Sequence, residues 1–123
     1  MGAHLVTMET TEEWKQVKSY IADKVAKDGR YTHWYIGLRK KSGTWKWTEA
    51  GSPGVVVATD DSRWQPGEPS QTPKLEDCGE INSYEKSVYG RFNNIRCDVK
   101  YQAQKTDFKG DPLPPRGYIC EKL

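Results

Sequence analysis

An α+β fold, with small antiparallel sheets, one or two helices and a long loop region, is what this 123-residue sequence predicts. Three observations carry that reading: one stretch with apolar residues at helical spacing, several short stretches that alternate or are bounded by turn formers, and a long run of Gly and Pro without periodicity. The length fits a single domain over residues 1–123, enough to bury one core if most of its five Trp and seven Tyr point inward.

The elements follow in order. His4 to Met8 alternates as a strand. Thr10 or Thr11 begins a helix with Glu12 and Glu13 in its first turn, where side-chain oxygens cap free amides and negative charge suits the helix dipole. Trp14, Val17, Tyr20 or Ile21, and Val25 form its apolar face, and Asp28-Gly29 ends it. Trp34 to Arg39 and Thr44 to Thr48 read as a hairpin across the Ser42-Gly43 turn, with Trp45 and Trp47 on one face at period two. From Ala50 to Leu75, Gly51, Pro53, Gly54, Pro66, Gly67, Pro69 and Pro73 accumulate, the signature of a functional loop or of disorder, and Trp64 with the acidic residues there favours function. Val55 to Val57 is the apolar run that packs this loop on the core. Glu76 to Ile81, Arg91 to Cys97 and Gly117 to Leu123 are three more short strands, and Tyr101 to Pro115 is a charged exposed loop.

Composition narrows the function classes. The net charge of +2 comes from 19 basic and 17 acidic residues. Both signs are interspersed, so nothing argues for nucleic acid or an anionic membrane. No apolar run is long enough to span a bilayer, and no signal-peptide pattern opens the sequence. Phosphate loops, G-x-S-x-G elbows and HExxH are absent, and His4 and His33 lack nucleophile partners at suggestive positions, so an enzyme is not expected. Zinc is disfavoured because there is no CxxC pair.

Oxygen-bearing side chains gather instead around two cysteines, in Trp64 to Cys78 (WQPGEPSQTPKLEDC) and Phe92 to Cys97 (FNNIRC). Glu68, Ser70, Glu76, Asn93 and Asn94 are hard ligands of the kind Ca²⁺ takes six to eight of. Turn chemistry alone also accounts for Gly67, Pro69, Ser70 and the two Asn.

The order of these motifs resembles the C-type lectin family: an aromatic, then EP-x, E-D-C and aromatic-N-x with a cysteine, together with GAHLV at Gly2–Val6, WYIGL at Trp34–Leu38, Trp45-Lys46-Trp47, and YICE at Tyr118–Glu121. The resemblance implies a Cys78–Cys97 disulfide and an extracellular setting, as a secreted protein or an ectodomain. It also implies that Cys120 has lost a partner upstream of Gly2, so that the N-terminus is trimmed, with a first strand and first helix wholly or partly missing; a small buried thiol is the competing reading. In sugar-binding members a cis peptide before the Pro of EP-x aims the flanking side chains at one ion, which with its ligands holds two vicinal hydroxyls. Carried over, Glu68, Ser70, Glu76, Asn93 and Asn94 become both metal and carbohydrate ligands. Ser70 departs from the family's Asn, Asn94 from its Asp, and Phe92 from its Trp. Ser reaches less far than Asn, and the formal charge of the set falls from −3 to −2, so Ca²⁺ is expected to bind weakly if it binds. An auxiliary ion site is not expected, because Arg39, Lys40 and Lys41 stand where acids would be needed.

Two functions remain open at this level. One is Ca²⁺-dependent recognition of a glycan or glycoprotein, with Glu68 rather than Gln tilting the sugar towards mannose, glucose or fucose. The other is a calcium-independent domain of the same fold that binds a protein or serves adhesion in a larger extracellular chain.

Overall fold

The computed structural model describes residues 3–28, 33–48, 54–70, 76–83, 86–97 and 117–122. The charged Tyr101–Pro115 segment lies outside them. Strand β1 (Ala3–Leu5) leads into helix α1 (Thr11–Asp28), followed by β2 (His33–Lys41), β3 (Thr44–Trp47), β4 (Cys78–Asn82), β5 (Phe92–Ile95), β6 (Gly117–Tyr118) and β7 (Cys120–Lys122).

Helix α1 starts where the sequence places it, and by a reciprocal cap. Thr10 Oγ1 accepts from the Glu13 N–H at 3.1 Å, while Glu13 Oε1 accepts from the Thr10 N–H at 3.0 Å, so two otherwise orphaned donors are satisfied. Val17 and Ile21 are buried, whereas Tyr20 faces solvent. The hairpin turn is a two-residue one. Ser42 and Gly43 both have positive φ, as a turn matching the right-handed strand twist requires.

The main sheet has the order β3-β2-β4-β5, its named pairs antiparallel. The last predicted strand differs from expectation. It is broken at Ile119 into β6, which runs parallel to β2 at Trp34 and Tyr35, and β7, which pairs antiparallel with β1. The cause is local: Ile119 is buried and its backbone bonds to both Val6 and Tyr35, so the chain passes from one sheet to the other through that residue.

The core joins Met8, Val17 and Ile21 to Trp34, Ile36, Leu38, Trp45, Trp47, Ile81 and Phe92. Trp47 and Trp64 both meet Phe92 edge to face, at centroid distances of 5.7 and 6.0 Å, and Trp64 meets Trp45 at 5.1 Å. Such pairs add stability beyond the area they bury. Trp64 is therefore core, 4% exposed, and it anchors the long loop beneath the ligand segment. Val57 does pack inward, and Val55 and Val57 bond to Trp47 and Trp45 across the free edge of β3, but Val56 faces solvent.

Candidate functional site

Backbone pairing delivers the loop to its place. The Phe92 N–H donates to the Arg63 carbonyl at 2.7 Å and the Gln65 N–H to the Phe92 carbonyl at 2.8 Å, so Trp64 forms an isolated parallel bridge to Phe92 beside β5. Gly67, with positive φ, then turns the chain into Glu68, and the Glu68–Pro69 peptide is cis. Across the sheet, Cys78 is bonded to Cys97 with their Cα atoms 5.1 Å apart, which ties the start of β4 to the end of β5.

Four of the five expected ligands converge. The Ser70 N–H donates to Glu68 Oε1 at 2.8 Å and to Asn94 Oδ1 at 3.0 Å. Ser70 Oγ lies 3.4 Å from both Glu76 Oε1 and Asn94 Oδ1. Asn94 is buried, and its amide nitrogen donates to the Ser70 carbonyl at 3.1 Å and the Glu76 carbonyl at 3.4 Å. The fifth residue goes elsewhere: the Asn93 amide nitrogen donates to Glu80 Oε2 at 3.0 Å. Strand alternation separates the two asparagines, since neighbours on a strand point to opposite faces. Glu80 itself is 1% exposed and is not flagged by any motif in the sequence.

The set is chemically suited to a hard cation. Oxygens that share a Ca²⁺ ion at 2.3–2.6 Å sit about 3 Å from one another, and Ser70 Oγ lies 3.4 Å from Glu76 Oε1 and from Asn94 Oδ1, slightly wider than that. The two carboxylates match the ion's charge. With only Glu68 and Glu76 acidic, the described residues contain no metal cluster built from three or more His, Cys, Asp or Glu. Cys120 is an exposed free thiol, which corrects the reading of it as a buried one.

The Lectin C-type domain family model matches residues 1–103. The chain belongs to the C-type lectin domain family. It is 31% identical to rat E-selectin over 99 residues, covering 79% of this chain and 16% of that protein. Against human C-type lectin domain family 4 member E it is 29% identical over 103 residues, covering 82% and 42%. The chain thus spans less than half the length of these curated relatives. Among solved structures, the mouse scavenger receptor C-type lectin carbohydrate-recognition domain superposes with a TM-score of 0.53 at 26% identity, covering 78% of this chain and 65% of that one. Human lithostathine gives 0.57 at 25% identity, covering 76% and 58%.

Within this C-type lectin domain, a second group of polar residues lies near the middle of the loop. Arg63 binds Asp61 in a fork, Nε to Oδ1 and Nη2 to Oδ2, each at 3.0 Å, and reaches the Met8 carbonyl at 2.7 Å. These hydrogen bonds hold the Asp61 carboxyl below the usual carboxylate range, although partial burial opposes them. The D-S-R spacing is a local turn pattern, and no sequence signal marks it as a site.

Proposed function

We propose that this C-type lectin domain is an extracellular Ca²⁺-dependent carbohydrate-binding module, not an enzyme, whose ligand is a glycan or glycoprotein. The observation that carries the reading is the convergence of Glu68, Ser70, Glu76 and Asn94 beside the cis Glu68–Pro69 peptide. Glu68 and Glu76 would hold the ion with their carboxylates, Ser70 through Oγ and Asn94 through Oδ1. Asn93, expected in the shell, stays with Glu80 on the opposite face of β5. The ion, when bound, supplies a hard positive centre for two vicinal hydroxyls. Glu68 and Glu76 accept hydrogen bonds from those hydroxyls, and the Ser70 hydroxyl donates to one of their oxygens. An acceptor at residue 68 supports mannose, glucose or fucose. The Cys78–Cys97 disulfide supports an oxidising location outside the cytosol.

The test is thermal. For a millimolar Kd, about 10 mM Ca²⁺ adds about 1.4 kcal/mol of stability, and the melting temperature should rise relative to EDTA by the corresponding few degrees. An unchanged melting temperature would refute ion-dependent binding. It would favour the second reading, a calcium-independent protein-binding or adhesive domain. The observation behind that alternative is that Ser70 and Asn94 already satisfy one another in four hydrogen bonds, so the loop closes on itself without an ion.

A further inference from the structure

Three cations share one face of the β2–β3 hairpin, the face turned away from the buried Leu38, Trp45 and Trp47. Arg39 stands directly opposite Lys46 in the register, and Lys41 follows two residues along β2 on the same side. Opposed side chains on antiparallel strands have Cβ atoms about 5 Å apart, and Lys41 lies about 7 Å further along the strand. These separations are within about one Debye length, so salt does not cancel the repulsion. Like charges placed opposite one another destabilise a sheet. Arg39 and Lys41 are exposed and Lys46 half-buried, and among the described residues no carboxylate pairs with any of them. Arg39 touches the Cys97 sulfur, Nη2 to Sγ at 3.7 Å, a contact that neutralises no charge. The hairpin thus concentrates more positive charge than the net +2 of the whole chain.

An arrangement that repels itself is relieved by a ligand carrying several anionic groups in a short length. The surroundings narrow its class. A peptide's usual way onto a sheet is to add as a strand at an edge, but the edge of β3 is already covered by Val55 and Val57, bonded to Trp47 and Trp45. Single-stranded nucleic acid needs rings among the cations on which its bases stack. Here the positions beside them in register are Thr44, Val56 and Cys78. A flat face with closely spaced cations and no stacking platform suits a chain whose charge is carried on its outside. We infer that this face binds a sulfated polysaccharide, with its sulfates against Arg39, Lys41 and Lys46 and without a metal ion. It is separate from the Glu68–Asn94 group. Arg39 pairs with Cys78 and Asn94 with Gly79, and these two neighbours on β4 point to opposite faces.

Binding of a heparin octasaccharide in EDTA, followed by calorimetry over a range of salt concentrations, tests the assignment. Three neutralised cations release about 0.7 counterions each if the glycan behaves as a flexible polyanion, so log K should fall against log salt with a slope of about −2. Lys46→Gln and Lys41→Gln should each bring the slope to about −1.4 and weaken binding by up to about fivefold, the effect of losing one exposed ion pair. Lys15→Gln, on the exposed side of α1, should change neither. Without ligand, Lys46→Gln should melt at an equal or higher temperature, because a like-charge contact is gone; a merely structural lysine would lower it. Hyaluronan, which carries carboxylates alone at lower density, should bind more weakly than heparin. No binding in EDTA, a slope left unchanged by both hairpin variants, or poly-glutamate or single-stranded DNA binding as tightly as heparin would each overturn the inference. EDTA silences the ion-dependent site, so the two readings fail separately.

Discussion

Asn94 shows how one side chain sets the state of the site. Its amide nitrogen supplies donors to the Ser70 and Glu76 carbonyls, a role no carboxylate can fill. Exchanging Ser70→Asn together with Asn94→Asp therefore has two opposed effects. The set gains a negative charge and a longer ligand, so calorimetric titration should show Ca²⁺ bound about tenfold tighter or more. In EDTA the same variant should melt lower than the parent, because a buried carboxylate there faces Glu68 and Glu76 unpaired. Tighter binding must appear if the loops converge as described; its absence would remove the ligand assignment. At Asp61 the prediction concerns pH. Its carboxyl is held low in the folded state by Arg63, so the pair's contribution is complete above the ordinary carboxylate pKa of about 4 and is lost as pH falls through the folded value. The melting-temperature gap between the parent and Asp61→Asn should accordingly close on acidification. Glu68, Ser70, Glu76 and Asn94 were legible because their chemistry is carried by residue type and local motif. Glu80 was not, since it depends on which distant segment comes to face it.

Elements divide along the same line. The capped start of α1 and the Ser42-Gly43 turn depend on residues within a few positions of one another, and the sequence locates both. The break at Ile119 depends on Val6 and Tyr35, far away in the chain, and periodicity holds no trace of it. Packing between β2 and β4 adds a constraint that residue type only hints at. A Cβ on Gly79 would stand 2.8 Å from the Leu38 Cβ and 2.9 Å from its Cδ2. Leu38 is fully buried, so it has nowhere to move. Gly79→Ala should cost about 1–3 kcal/mol, measurable by urea denaturation, and should be felt at the site because Gly79 pairs with Asn94 in register. An unaffected midpoint would mean that β2 and β4 lie farther apart than described.

For the molecule as a whole, the disulfide and the aromatic cluster divide the work of holding the long loop. Trp64 pins the middle of it to Phe92 and Trp45, and Cys78–Cys97 ties the start of β4, where it ends, to the segment just past β5. The closed loop spans a sequence separation of 19, worth about 3 kcal/mol on the chain-entropy model. Reduction should lower stability by that order and should weaken Ca²⁺ or sugar binding at reductant levels where α1 still gives its full circular dichroism. If binding and helix are lost together, the staple supports the whole core and not the site alone. A different consequence lies in the register of β1 on β7. Ala3 stands opposite Lys122, His4 opposite Glu121 and Leu5 opposite Cys120, so residues 3 and 122 are adjacent on antiparallel strands. A pulling force applied across those two residues loads the hydrogen bonds one rung at a time, as a zip is opened, and not all together in shear. Under tension this pair should peel at low force, while the covalently stapled β4 and β5, which carry Asn94, stay folded behind it.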